Sequence, residues 1–362
     1  MQTKVLVIGG GPAGATSARL LAENNIDTIL IDKDLTFQKP CGGAVPSSLF
    51  EELNIPKAVI KKEVNSIRLI SPKGKEAMVL IRNGFIGIVK RGIFDSVLRA
   101  LAEKAGAKVI EGRFERFIST GSSIVSEVSV DGVCKEIISD YIIAADGINS
   151  RVSSRLDIHP PKSVFTVSET LDARQTESCE FWFGSSPNLY SWVFPEEGGI
   201  KVGTGALRSV ELKSEHEAFL KKRGLSSEGS RRGYRVPLWN EEDRFTALNE
   251  RVLFVGDSGA QVMPFTFEGI YYSMKSAELL AVALVEGNPS DYKRLWRKRF
   301  LSRYRFMKRL WSLFGRNKEL VEKFVSLHQI PSVQESALRL WLDKGSGRIA
   351  LFSYIKALRM LL

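Results

Sequence analysis

Several short stretches of this chain have residue types and spacings that can do chemistry. The first is Gly9-Gly10-Gly11-Pro12-Ala13-Gly14, a G-x-G-x-x-G pattern. Gly9 permits a tight turn, Gly11 lets the backbone approach a pyrophosphate, and Gly14 lets a helix pack close to the preceding strand. The helix that includes Ala13 would turn free N–H groups and its positive dipole end toward the phosphates. Asp32 lies eighteen residues past Gly14 and is followed by Lys33. A carboxylate there accepts hydrogen bonds from ribose hydroxyls and disfavours a 2′-phosphate. Asp146-Gly147 and Gly256-Asp257 each follow an apolar run, and Arg91-Gly92-Ile93-Phe94-Asp95 sets a cation ahead of a helical pattern. Two other stretches differ in character. Lys39-Pro40-Cys41-Gly42-Gly43 holds a cysteine in a glycine-flanked loop, while Tyr190, Trp192 and Phe194 alternate along a strand-like run. Alternation puts those three rings on one face, forming a wide apolar wall. Phe181, Trp182 and Phe183 are expected to extend it.

These residues need elements to position them. Val5 to Ile8, Ala13 to Glu23 and Thr28 to Ile31 read as strand, helix and strand, a βαβ start. Tyr141 to Ala145 and Arg251 to Val255 read as buried strands that deliver Asp146 and Asp257, and Gly269-Ile270 opens a helix to Val285. Ser122 to Ile138 reads as a meander turning at Asp131-Gly132, and strands dominate 162–240. A nucleotide domain made of 1–63, 91–161 and 241–290 therefore alternates with a strand-rich domain made of 64–90 and 162–240. A helical region, 291–362, follows. The 362 residues suit two domains.

Taken in order, the motifs resemble the two-dinucleotide-fold flavoproteins, the class that includes p-hydroxybenzoate hydroxylase. The resemblance implies an α/β FAD domain, an antiparallel-sheet substrate domain and a C-terminal helical region. It implies that Asp146-Gly147 lies near flavin and pyrophosphate, and that Asp257 bonds the ribityl chain. It implies further that Arg91 approaches the pyrophosphate, that Phe114 contacts adenine through its backbone, and that the helix from Gly269-Ile270 points its N-terminus at the flavin. Lys39-Pro40-Cys41-Gly42-Gly43, matching a cysteine-containing flavin loop in which Cys41, Gly42 and Gly43 contact the cofactor, and Pro187-Asn188-Leu189-Tyr190-Ser191-Trp192-Val193-Phe194-Pro195 carry the resemblance further, to the geranylgeranyl reductase family. The second segment fits P-x-x-Y-x-W-x-F-P at every fixed position, and the likeness runs from residue 1 to about 290.

This second resemblance implies an isoprenoid or prenyl-lipid substrate, with Cys41, Tyr190 and Trp192 at the reacting carbon. No second fingerprint for a nicotinamide is visible, so ferredoxin and NAD(P)H both stand as electron donors. An isolated trisubstituted alkene resists direct hydride attack. Protonation at its less substituted carbon, with the developing cation held by Tyr190 and Trp192 through cation–π contact, is the expected chemistry. One departure stands out: Phe267 occupies a position where the class shows glycine. A flavin monooxygenase or halogenase, and a non-catalytic prenyl-binding protein, are the alternatives on the same fold.

Charge is unevenly spread. The net charge is +11, and ten basic residues against one acid lie between Asp291 and Arg316. Within that stretch Trp296, Phe300, Tyr304, Met307, Trp311 and Phe314 fall inside an arc of roughly 80°, with Arg294, Lys298, Arg305, Lys308 and Arg309 broadly opposite. Such a helix suits an interfacial membrane position or a lid, or a core-packed helix with a solvated basic face. No recognition motif accompanies the patch, so nucleic acid is not expected. Three cysteines, Cys41, Cys134 and Cys179, show no metal spacing and no paired framework. With no secretory leader and no spanning apolar run visible, a cytoplasmic protein, peripheral at a membrane, is the expectation.

Overall fold

The computed structural model describes residues 1–174, 176–186, 189–227, 229–242, 244–314, 317–342, 344 and 352–356. Pro187, Asn188 and Arg316 lie outside the described residues. The chain divides into two compact units. One comprises Met1–Gln38, Gly92–Lys162 and Val236–Tyr304, the other Lys39–Arg91, Ser163–Arg235 and Arg305–Leu362.

The first unit is built on five parallel strands: Val252–Phe254, Val133–Ala144, Gln2–Ile8, Thr28–Asp32 and Lys108–Glu111, in that spatial order. The apolar runs Val5–Ile8, Ile29–Ile31, Ile142–Ala144 and Val252–Phe254 fit strands covered on both faces. Leu6, Ile29, Ile31, Ile142, Ala144, Val252 and Phe254 form one buried cluster. Register aligns Ile8 with Ile31 and Ala144, and Ala144 with Phe254. The chain segments after Ile8, Asp32, Ala144 and Phe254 therefore leave the sheet at the same edge, the carboxyl ends where open α/β sheets bind ligands. The long strand Val133–Ala144 also pairs antiparallel with Ile124–Val130. The turn between them is Asp131-Gly132, with φ of 53° and 77°. Left-handed geometry at both positions suits the twist of a two-residue hairpin.

The second unit holds a seven-stranded sheet in the order Arg232–Pro237, Ser163–Leu171, Gly199–Ala206, Leu189–Glu196, Cys179–Ser186, Ser66–Ile70 and Glu76–Leu80. Pairing is antiparallel from Ser163–Leu171 through to Cys179–Ser186 and between the last two strands. Cys179–Ser186 and Ser66–Ile70 run parallel. These two strands are far apart in sequence, so no hairpin dictates their direction. The helix Ser209–Arg223 packs Phe219 and Leu220 on Leu171, Val193, Ile200 and Val202. Gly224 ends that helix in the left-handed conformation, φ 68°. A three-stranded sheet, Ala44–Pro46, Ile86–Val89 and Ile60–Val64, completes this part of the unit.

The helices Asp291–Phe314, Lys318–Leu327 and Pro331–Trp341 follow. Along the first of these, Trp296, Phe300, Tyr304, Met307 and Phe314 are buried. The Trp296 ring packs 5.2 Å from Phe245 and 4.8 Å from Tyr304, and its Nε1–H donates to Ser276 Oγ at 2.9 Å. The apolar stripe is thus core, not a surface for lipid. Arg294, Arg297, Lys298, Arg305 and Arg309 are exposed, whereas Arg303 is buried. Among the described residues no helix is long and apolar enough to cross a membrane.

Candidate functional site

The glycine turn is shaped by what its missing side chains allow. Gly9 has φ 105°, and a Cβ there would lie 2.5 Å from the Ala145 carbonyl carbon and 2.8 Å from Asp146 Cα. A Cβ at Gly14 would overlap the Gly9 carbonyl oxygen and sit 3.1 Å from Ala145 Cβ. Strand, turn and helix therefore touch backbone to backbone. A Cβ at Gly11 would meet no protein atom within 4 Å, so this glycine faces open space. Asp32 folds toward the turn. Its Oδ2 accepts the Gly10 N–H at 2.5 Å and its Oδ1 the Asp34 N–H at 3.1 Å. Lys33 follows, exposed.

Arg99, eight residues along the helix that starts at Arg91, was not singled out from sequence. Its guanidinium donates to Gly10 O at 3.1 Å and Leu35 O at 2.6 Å, tying the turn to the loop after the second strand. A cation two helical turns beyond Arg91 was the available signal.

The other parallel strands bring two carboxylates to the same edge. Asp146 Oδ2 accepts N–H groups of Arg151 at 2.7 Å and Val152 at 3.1 Å, capping the short helix Arg151–Arg155. Its Oδ1 is buried and has no hydrogen-bond partner among the described residues. Burial holds this carboxyl above its ordinary pKa, against the pull of the hydrogen bonds it accepts. Asp257 sits in the turn Gly256–Gly259, and a Cβ at Gly269 would lie 3.7 Å from its Oδ1. Gly269 caps the helix Ile270–Val285, whose first N–H groups have no acceptor within the helix. Ala13 is buried inside the first helix. Phe114 is a core residue whose carbonyl accepts from Arg151 at 3.4 Å. Gly9, Gly11, Ala13, Gly14, Asp32, Asp146, Asp257, Gly269 and Ile270 all belong to this one unit.

A second group assembles in the sheet unit. Tyr190, Trp192 and Phe194 share a strand face with Phe181 and Phe183 of the neighbouring strand. Phe181 lies 5.3 Å from Tyr190 and 5.4 Å from Phe194, ring centre to ring centre, and Tyr190 lies 6.3 Å from Trp192. Gly203 pairs with Trp192 across the next strand, and a Cβ there would overlap the indole. From the loop side, a Cβ at Gly42 would lie 2.6 Å from Phe194 Cε2 and 3.3 Å from Trp192 Nε1. Glycine on both sides lets the backbone lie against the rings. Trp192 Nε1 is buried with no hydrogen-bond partner among the described residues. Gly43, at φ 77°, donates its N–H to Cys41 Sγ at 3.3 Å. The structure thus sets Gly42, the residue between Cys41 and Gly43, beside Trp192 and Phe194. Cys41 is half-buried, whereas Cys179 is fully buried, which drives its thiol pKa far up, and Cys134 is exposed.

Trp182 does not extend this wall. It points to the opposite face, where its ring lies 6.0 Å from Phe219 and its Nε1–H donates to Glu180 at 2.8 Å. Adjacent strand residues alternate sides, so only Phe181 and Phe183 join Tyr190.

Behind the wall lies a buried polar chain that sequence reading missed. Ser191 bonds Thr204 at 3.0 Å, Thr204 bonds His216 Nδ1 at 2.9 Å, and His216 Nε2 bonds Glu169 at 2.9 Å. Ser227 donates to the other Glu169 oxygen at 2.7 Å. Burial lowers the His216 pKa, outweighing the upward pull of Glu169, so the imidazole stays neutral. Ser191 lies between Tyr190 and Trp192, so this chain pins the aromatic strand from its far side. The members are scattered from 169 to 227, and no local spacing announces them.

A glycine turn open to free space and two carboxylates at one strand edge, in a chain with a largely antiparallel aromatic sheet, are the features of a dinucleotide-binding flavoprotein. Residues 2–219 match the FAD binding domain family. The chain is 31% identical to geranylgeranyl diphosphate reductase of Arabidopsis thaliana, over 94% of this chain and 80% of that one. It is 30% identical to digeranylgeranylglycerophospholipid reductase 1 of Methanothermobacter thermautotrophicus, over 82% of this chain and 83% of that one. A solved geranylgeranyl bacteriochlorophyll reductase-like protein from Thermoplasma acidophilum superposes with TM-score 0.84 at 21% identity, covering 100% of this chain and 99% of that one. The chain belongs to the FAD-binding domain family and, within it, to the geranylgeranyl reductases. The cofactor is FAD, and the residues fit it: Gly11 opens on free space and the buried Asp146 Oδ1 lacks a partner among the described residues. Among the described residues no group of three or more His, Cys, Asp or Glu side chains could hold a metal.

Proposed function

We infer that this protein is an FAD-dependent reductase of C=C double bonds in geranylgeranyl chains. The chain is carried on a diphosphate, a glycerolipid or a quinone. Support comes from the relatives named above and, in the structure, from one observation. Five aromatic rings share a sheet face whose central indole has glycines on both sides and a buried, unpartnered N–H. Phe181, Tyr190 and Trp192 stay partly uncovered on that face, whereas Phe183 and Phe194 are buried. Each CH₂ of a prenyl chain buried there gains about 0.8 kcal/mol.

Each group of residues takes a role on this reading. Gly9, Gly11, Ala13 and Gly14 hold the pyrophosphate, with Arg91 approaching it, and Asp32 and Lys33 lie toward the ribose. The Phe114 backbone lies toward adenine, Asp146 and Asp257 toward the flavin end, and Gly269-Ile270 presents the helix N-terminus to the ring. Bound and reduced, FAD would supply a hydride, two electrons with one hydrogen, to the more substituted carbon, and a proton taken up at the less substituted carbon would complete the saturation. Tyr190 and Trp192 orient the prenyl chain, exclude water and stabilise positive charge developing on the more substituted carbon. Cys41, with Gly42 and Gly43, lies beside them as the thiol nearest the reacting carbon. The Trp192 N–H, which has no partner among the described residues, joins the Tyr190 hydroxyl as a directional donor in this aromatic wall.

Two finer readings follow from charge. With its apolar stripe packed inside the fold, the helix Asp291–Phe314 keeps a basic outer face suited to peripheral contact with an anionic membrane. Electrons reach the flavin from ferredoxin or NAD(P)H. The decisive experiment is anaerobic incubation of the dithionite-reduced, FAD-loaded protein with geranylgeranyl diphosphate. Products heavier by two hydrogens per reduced bond are expected. In a parallel aerobic incubation, substrate-dependent oxygen consumption with no saturated product would instead establish a monooxygenase or halogenase.

A further inference from the structure

The G-x-G-x-x-G pattern leaves its second position open to any residue, yet Gly10 stands there. The structure gives a reason. A Cβ at Gly10 would lie 3.1 Å from Arg99 Cδ and 3.2 Å from Asp32 Cβ. Relaxed carbon contacts fall near 3.5–4.0 Å, so both side chains close on this residue only because it has none. Asp32, at the end of the strand Thr28–Asp32, accepts the Gly10 N–H at 2.5 Å. Arg99, from the helix Arg91–Lys104, donates to the Gly10 carbonyl at 3.1 Å. Both polar groups of the Gly10 backbone are thus tied by side chains. Arg99 also donates to Leu35 O at 2.6 Å, and the Leu35 N–H reaches Glu111 Oε2 at 3.3 Å. The Asp34 N–H bonds Asp32 Oδ1 at 3.1 Å. Asp32 therefore stands between two segments, the glycine turn and Asp34-Leu35, that one guanidinium joins. Each Asp32 oxygen accepts one N–H and keeps a second lone-pair direction. Gly10, Asp32, Leu35, Arg99 and Glu111 all belong to one unit.

We propose that Arg99 is a positioning residue for FAD: it sets the separation of the glycine turn from Asp34-Leu35 and so aims the Asp32 carboxylate at the ribose hydroxyls. This rests on the glycine turn being the FAD site. A guanidinium suits the task because its planar fork donates from two nitrogens in fixed directions, whereas an ammonium is a point charge on a flexible stem.

The test dilutes FAD-loaded protein and reads the flavin fluorescence recovered on release, which gives the FAD dissociation constant. Wild type is compared with Arg99→Met, Arg99→Lys, Gly10→Ala, Asp32→Ala and the double variant Arg99→Met/Asp32→Ala. Thermal unfolding of each sample shows that folded protein is being measured. Arg99→Met is expected to weaken FAD binding by about tenfold. Arg99→Lys, which keeps the charge but not the fork, weakens it nearly as much, and Gly10→Ala, which crowds both side chains, weakens it in the same direction. In the Asp32→Ala background the Arg99→Met loss shrinks below about threefold, because the carboxylate that Arg99 positions is gone. Wild-type affinity in Arg99→Lys would assign the effect to charge near the phosphates and overturn the proposal. An Arg99→Met loss undiminished without Asp32 overturns it as well, as does an Arg99→Met protein that melts lower yet holds FAD as wild type does. If Asp32→Ala itself holds FAD as wild type does, the placement of FAD at the glycine turn and Asp32 fails first and takes the proposal with it.

Discussion

The closest fit in the sheet unit is that of Gly203 against Trp192, and Gly203→Ala tests what it does. A Cβ at 203 would overlap two atoms of the indole and lie 2.6 Å from a third, Cη2. Relaxed carbon contacts fall near 3.5–4.0 Å, so the ring must retreat by more than about 1 Å. It has little room, because a Cβ at Gly42 on the loop side would already be 3.3 Å from Nε1 and the Tyr190 ring lies 6.3 Å away. Overpacking of this kind costs about 1–3 kcal/mol, or a melting temperature lower by about 4–8 °C at the middle of that range. A displacement of about 1 Å at a positioning side chain lowers kcat/KM by about 100-fold. FAD content should stay at the wild-type level, since the glycine cradle belongs to the other unit. The double variant Gly203→Ala/Trp192→Phe should recover part of the lost stability, because the smaller ring leaves space for the methyl group. Thermal unfolding, tryptophan emission and anaerobic turnover give the three readouts. A single variant with wild-type melting and wild-type turnover would refute the reasoning.

Other expectations follow from the same structure. Gly11→Ala places a methyl group where no protein atom lies within 4 Å. The FAD-free protein should therefore unfold within about 0.5 kcal/mol of wild type, while FAD titration shows affinity weakened by tenfold or more. His328 is buried between the Phe324 carbonyl, at 2.7 Å from Nδ1, and the Tyr354 hydroxyl, at 3.0 Å from Nε2, and burial pushes its pKa down to about 4. The unfolded chain takes up this proton near pH 6.5, so stability is full above that pH. It falls by about 3 kcal/mol as pH drops to 4. Urea unfolding of wild type across this window, with His328→Gln flattening the slope, measures it. Reversing Arg297, Lys298 and Arg309 to Glu should abolish co-sedimentation with anionic vesicles. Raised salt should weaken wild-type binding in the same assay, since exposed charges are screened.

Local patterns carried much of this protein. The glycine turn, the following helix and Asp32 are contiguous, and backbone sterics and strand–helix periodicity fix their form whatever surrounds them. The Asp131-Gly132 hairpin and the shared face of Tyr190, Trp192 and Phe194 were legible for the same reason. Periodicity says which residues share a face but not what covers that face. The stripe from Trp296 to Phe314 read equally well as lipid-facing or core, and only packing against Phe245 and Ser276 decided it. Trp182 was placed by alternation against the helix Ser209–Arg223 once the strand register was known. Arg99 and the chain from Ser191 to Glu169 depend on strand order and on contacts between segments remote in sequence. Such contacts form only when the whole sheet closes, so their residues look ordinary one by one. The sequence determined the faces and the turns, and the tertiary structure decided what each face meets.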